Sequence, residues 1–225
     1  MSLGNGPRAA PVPRGRLAVA VMTGILLLVA GVLLLPSSPK TDVGTVPPSS
    51  TGVRSPATAT ESSLAPSPRP AGDPFAPLSV QVRRAGIDAR VVPVGVGRDG
   101  MLGIPQDVRQ VGWWQAGAAA GSAAGTVVLV GHVDSAQQGA GAFFPLRQLN
   151  PGDRVVLSGA GGERTVYVVS ARRQYPKSSL PRAEVFGQGS MPRLVLLTCG
   201  GPFNSATRHY EDNVVVYATP LGRGS

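Results

Sequence analysis

An all-β fold, a closed barrel of about eight strands with short helices, is what this sequence predicts for residues 73–220, with one transmembrane helix and a disordered linker ahead of it. Three observations carry the prediction. Short β-branched runs recur between turn signals: "LSVQVRR", "ARVVPVGV", "GTVVLVGH", "DRVVLSG", "RTVYVVSARR", "RLVLLTC" and "DNVVVYATP". Helical periodicity is scarce, with short candidates only at "GIPQDVRQVGWW", "FFPLRQL" and "LPRAEVF". Composition also changes abruptly near residue 73, where a Pro, Ser and Thr-rich stretch gives way to these runs. Several of them alternate with period two, the mark of a half-buried strand. "TVVLV" and "LVLL" are continuous and suit strands covered on both faces.

Taken in order, residues 1–16 carry Arg8, Arg14 and Arg16 and form a short cytoplasmic N-terminus. Residues 17–35, "LAVAVMTGILLLVAGVLLL", are uncharged throughout, close to the ~20 apolar residues that cross a bilayer as a helix. The arginines before the span and the sparse charge after it orient the chain with its bulk outside. A cleaved signal peptide is the rival reading, but its apolar core is normally about 7–15 residues and "PSSPK" is a poor cleavage site. Residues 36–72 contain no aromatic residue and are dominated by Pro, Ser, Thr, Ala and Gly. Such a segment buries too little apolar surface to offset its ordering entropy, and it reads as an extended tether. Residues 221–225 are a C-terminal tail.

The formal charge is +9, with 21 Lys+Arg against 12 Asp+Glu, and only Lys40 and Lys177 among the cations are lysines. This balance favours anionic surfaces in general. The arginines are dispersed along the chain, without the clustering and interleaved aromatics of a nucleic-acid footprint, so no nucleic-acid partner is expected. One cysteine, Cys199, permits no intramolecular disulfide. With two histidines, His132 and His209, it supplies no zinc ligand set, and neither metal nor cofactor is expected.

The thiol is a packed core residue, a chance occurrence or a nucleophile. Cysteine is among the most buried residue types, and a histidine at a strand end often only satisfies a hydrogen bond. Yet "TVVLVGH" finishes in His132 and "RLVLLTC" finishes in Cys199, each followed by turn-prone sequence. If the two strands are neighbours running the same way, both side chains reach one rim. A cysteine nucleophile needs this, because the reactive thiolate is favoured by a nearby base or cation. An arginine at the same rim would offer two permanent donors to a developing oxyanion.

"VGHVDS", then "FFPLRQLNPGDRV", then "LLTCGG" with an arginine downstream resembles a sortase of the class F type. Further matching pieces are "GIDARVVPVGV", "VGWWQAGAAAGSAAGTVVLVGH", "QYPKSSLP" and "HYEDNVVVYATP", so the resemblance covers essentially residues 75–220. It implies a membrane-anchored cysteine transpeptidase displayed outside a Gram-positive cell. Such an enzyme cleaves an LPxTG-like sorting signal through a thioacyl intermediate and transfers the protein to a cell-wall precursor amine. Carried over by position, Cys199 is the nucleophile and His132 the acid and base. The position often filled by the family's arginine lies around Glu211–Asn213, which here reads "EDN", so Arg208 is the nearest candidate and Arg193 its rival.

His209, ten residues from the thiol in sequence, is a rival partner, but the strand-end setting of His132 and the resemblance favour His132, and His209 is read as loop structure or a supporting substrate contact. Asp134 is either a turn former or a hydrogen-bonding neighbour of the site, Thr198 is a strand residue that helps orient it, and Trp113 and Trp114 are packing residues. Two other functions remain open. One is a thiol hydrolase on the same site. The other is a non-catalytic β-domain that binds anionic wall polymers.

Overall fold

All seven β-branched runs fold as strands in the computed structural model, which describes residues 42–48 and 73–222. The elements are β1 (Val43–Gly44), β2 (Ser79–Val82), β3 (Ile87–Val94), β4 (Val111–Trp114), β5 (Thr126–Gly131), β6 (Asp134–Ser135) and β7 (Gly139–Ala140). They continue with β8 (Arg154–Ser158), β9 (Arg164–Pro176), the short helix α1 (Arg182–Phe186), β10 (Arg193–Asn204) and β11 (His209–Pro220). The sheet runs β9-β11-β10-β5-β4-β3-β2-β8, and β8 pairs back onto β9, closing a barrel of eight strands. β1 is appended to β9 from outside, and β6 and β7 form a separate small ribbon. The predicted span 17–35 lies outside the described residues, among which no helix is long and apolar enough to cross a membrane.

The continuous apolar runs are explained by two cores. On β5, Val127 and Leu129 point into the barrel with Leu194, Leu196, Val214 and Val216. Val128 and Val130 point outward and join Val195, Leu197, Val215 and Tyr217 in a second cluster, covered by Val185 and Phe186 of α1. Every residue of β5 is therefore buried, whereas β8 and β9, covered on one face, alternate.

Polar bonds fasten the cover. Arg193, 2 % exposed, donates its Nε to Thr126 Oγ1 at 2.9 Å and its Nη2 to the Glu184 carbonyl of α1. Glu184 Oε1 accepts from Tyr217 at 2.5 Å and Tyr175 at 3.1 Å. Burial, followed by these bonds, pushes the Tyr217 phenol far above its usual value, and burial raises Tyr175 and Tyr167. A phenol whose folded pKa is raised contributes stability that is fully present below its unfolded value of about 10 and is lost as pH rises toward the folded one. Thermal melts should therefore hold steady up to about pH 10 and fall steeply above it, with the loss reduced in Tyr217→Phe. A melting temperature of the parent that stays flat through pH 11 would contradict this.

Two expectations need correction. "VGWW", placed at the end of a helical candidate, is strand β4. A side chain at Gly112 would collide with Val94 of the parallel neighbour β3, and this close strand packing wins over the weak helical period. Within the linker, residues 42–48 are not a free tether. Val43 and Gly44 pair with Arg172 and Ala171, Arg173 donates to the Val43 and Gly44 carbonyls at 2.6 Å each, and Val46 packs on the outer cluster. Gly44 has φ +76°, and its Cα lies so close to Ser170 O that no side chain fits. Gly44→Val should release this strand, exposing residues 42–48 to protease while the barrel persists. Unchanged cleavage kinetics would refute the docking.

Candidate active site

β5 and β10 are parallel neighbours in the register Arg193↔Thr126 through Leu197↔Val130. The pairing ends there, β5 stops at Gly131, and continuing the register by two residues sets Cys199 opposite His132, the residue that follows β5. In the alternation of each strand, Cys199 follows Val195 and Leu197, and His132 follows Val128 and Val130, so both leave the outward face where the cover over it ends. Thr198, buried one residue before Cys199, donates its Oγ1 to Gly131 O at 2.8 Å and ties the two strands together just before these residues. Cys199 itself is half-buried and free.

His132 Nε2 lies 2.9 Å from the carbonyl of Pro105. A carbonyl only accepts, so Nε2 carries a hydrogen and Nδ1 is the nitrogen left to exchange a proton. The backbone of His132 is braced by Gly141, where an added Cβ would stand 2.3 Å from His132 O, and by the Phe143 amide at 3.1 Å.

Beyond Cys199, β10 and β11 continue as a hairpin whose residues line one cleft with the thiol. Gly200 pairs with Asp212 but Phe203 pairs with Tyr210, so β10 carries one extra residue. Gly201, at φ +74° and pressed against Asp212, makes this bulge possible. The hairpin tip is held by Asn204 Oδ1, which accepts from Ala206 N and Thr207 N at 3.0 and 3.1 Å. It ends in Arg208 at φ 57°, the one positive-φ residue other than glycine among those described.

His132, Cys199 and Arg208 line one open cleft of about 800 Å³, together with Phe203, Tyr210 and Asp134. Tyr210 donates to Asp134 Oδ2 at 2.5 Å, joining the Arg208 hairpin to the segment that follows His132. The bond to Asp134, then burial, holds the phenol above its usual pKa. Its ring packs edge-on against Phe203 at 5.2 Å.

Arg193 does not reach this cleft. It lies six residues back on β10, roughly 20 Å away at ~3.3 Å per residue, in the polar network under α1. Glu211, near the position where an arginine was expected, is exposed, accepts from Asn204 at 3.2 Å, and is not part of the cleft wall. His209 lines the cleft but pairs with Asn204, five residues along β10 from Cys199. Trp113 and Trp114 pack against the inner and outer cores.

Sequence reasoning missed Phe203, Tyr210 and Lys177 as cleft residues. The first two were legible in principle. In "FNSATRHY" they stand symmetrically about a four-residue turn, the spacing of a facing cross-strand pair. No cluster of His, Cys, Asp and Glu able to hold a metal occurs among the described residues.

A profile of the sortase domain matches residues 80–221, well over half the chain. Comparison with curated protein sequences gives no match. Among solved structures, a lid mutant of sortase A from Corynebacterium diphtheriae is similar at 15% identity and a TM-score of 0.51, over 67% of this chain and 72% of that one. Sortase C1 of Streptococcus agalactiae, in complex with MTSET, is similar at 17% identity and 0.51, over 67% and 71%. A further crystal form of that sortase C1 is similar at 19% identity and 0.50, over 65% and 68%. At these identities the likeness is one of fold, which agrees with the closed barrel described above. With the profile match it establishes that the chain belongs to the sortase family.

Proposed function

We propose that this chain is a membrane-anchored, extracellular sortase of the class F type, with Cys199 as nucleophile, His132 as acid and base, and Arg208 as oxyanion donor. The observation that supports the reading is that β5 and β10 run parallel and that Cys199 and His132, just beyond their paired stretch, line one open cleft. The apolar span 17–35 supports the anchor, and the arginines before it support the orientation.

In this mechanism the Cys199 thiol gives its proton to Nδ1 of His132, and the thiolate attacks the threonine carbonyl carbon of an LPxTG-like signal. The carbonyl electrons move to oxygen, where the Arg208 guanidinium donates to the developing charge. Collapse of the tetrahedral intermediate breaks the peptide C–N bond, and Nδ1 of His132 passes its proton to the leaving amine. The thioacyl enzyme is then attacked by a cell-wall amine. His132 takes a proton from that amine, and the C–S bond breaks as the thiolate departs. Arg208 is available for this work, since no carboxylate lies within ion-pair distance of it among the described residues.

The deciding experiment incubates the protein with a fluorogenic LPxTG-type peptide, with and without a glycine-based amine. Ligated product that increases with amine is expected. Cleavage indifferent to amine would indicate a hydrolase, and no cleavage with a panel of signals would leave a binding domain. A smaller effect is expected for Tyr210→Phe, which removes the bond to Asp134 but keeps the ring. A hydrogen bond to a charged partner contributes about 1.5–3 kcal/mol when sheltered and less at this rim. The hairpin should loosen, raising KM about threefold to tenfold with kcat little changed. An unchanged KM would show that the bridge does not hold the cleft.

A further inference from the structure

Away from the catalytic cleft, on the outer face of the β8–β9 hairpin, lies a second groove of about 460 Å³, walled by Arg83, Arg84, Arg154 and Arg164. Its floor is formed by Val156 and Val166. Alternation in the two strands explains the arrangement. Val155, Leu157, Thr165 and Tyr167 point into the barrel, so Arg154, Val156, Arg164 and Val166 point out. The turn Arg83–Ala85 leaves β2, the other neighbour of β8, and brings two more guanidiniums to the same side.

One carboxylate, Asp153, faces these four cations. It is committed, pairing with Arg84 at 3.2 Å and accepting from Asn150 N at 2.8 Å. Glu163, next in sequence to Arg164, bonds instead to Gly161 N at 2.7 Å. Arg83 has a long contact with Gln81, and neither Arg154 nor Arg164 has a hydrogen-bond or ion-pair partner among the described residues. All four arginines are exposed. Like charges gathered with so little compensation repel one another, and an anion would relieve that repulsion.

We propose that this groove binds a linear polyanion through successive phosphate groups, independently of the catalytic cleft. Two features select that ligand class. All four cations are arginine, whose planar fork matches phosphate oxygens in pairs and does not titrate at any relevant pH. They also span the length of the groove, with Arg83 and Arg84 at the Arg154 end and Arg164 apart from them. Arg154 pairs with Val168, so Arg164 lies four residues along the hairpin, about 13 Å at ~3.3 Å per residue. An extended chain of phosphates meets such a row without drawing the guanidiniums together, whereas one phosphate would have to crowd them. The apolar floor accommodates the carbon segments between phosphates.

The test measures binding of the full chain to fluorescently labelled poly(glycerol phosphate), with inorganic phosphate and anionic lipid vesicles as separate arms. Saturable binding to the polymer is expected, falling roughly fifty-fold between 50 and 200 mM salt if about four phosphates are neutralised. The triple variant Arg83→Gln/Arg154→Gln/Arg164→Gln keeps the Arg84–Asp153 pair and should lose at least tenfold in affinity, with peptide cleavage unchanged. The matching triple lysine variant should retain an intermediate affinity, which separates lost charge from lost fold. Polymer binding unaffected by the glutamine variant would overturn the proposal. So would inorganic phosphate competing at the same concentration of phosphate groups, or groove-dependent binding to vesicles alone.

Discussion

Cys199→Ala should reduce turnover to background, a loss on the order of 10⁴-fold or more, while the melting temperature moves by no more than ~3 °C. The stability clause follows from position. The thiol is half-buried just after the buried stretch of β10, which is held below it by Leu194–Thr198 and the Thr198 bond to Gly131. Truncating one sulfur there removes little packing. His132→Ala should cost about 10²–10⁴-fold, since the leaving amine then departs without a proton donor. Combining the two should cost no more than Cys199→Ala alone, because groups that act as one unit are not additive. The sequence sharpens the measurement: with one cysteine in 225 residues, a thioacyl adduct seen by mass spectrometry can sit nowhere else. Turnover in Cys199→Ala within a hundredfold of the parent would end the reading of Cys199 as nucleophile.

What was legible beforehand followed the physics of each element. Strands buried on both faces announce themselves as continuous apolar runs, so β5, β10 and the positions of His132 and Cys199 could be located from "TVVLVGH" and "RLVLLTC". Their adjacency is a matter of topology, which one strand's pattern does not encode. β4 escaped because four residues with a glycine carry little period of their own and are held by neighbours on both sides. β1 escaped because its stability comes from Arg173, far along the chain, gripping two carbonyls of a Pro and Thr-rich segment. The Tyr210–Asp134 bridge joins residues 76 positions apart and is equally invisible to local reading. The arginine depended on the bulge. Without the extra residue at Gly201 there is no means of telling that Glu211 faces away while the hairpin tip turns inward.

Arg208→Gly offers the sharpest separation of function from structure. A side chain larger than glycine in the left-handed region costs about 1–2 kcal/mol, and Arg208 sits there at φ 57°. Glycine removes that strain but makes the unfolded chain freer by about 0.4–1 kcal/mol, so the net effect on stability should be neutral to slightly favourable. Activity should move the other way. Removing an oxyanion donor typically costs about 10²–10³-fold, and most of it should appear in kcat because the charge develops only in the transition state. Arg208→Lys keeps the charge but not the paired donors and should fall between. Glu211→Ala should stay within about twofold of the parent, since that carboxylate bonds Asn204 on the far side of the hairpin. An Arg208→Gly rate within tenfold of the parent would transfer the role to another cation of the cleft, of which Lys177 is the first to test. An arginine is thus held at a backbone conformation that suits glycine better, at the tip of a hairpin that lines one cleft with the thiol. That arrangement opposes stability, and the oxyanion role proposed for Arg208 would account for it.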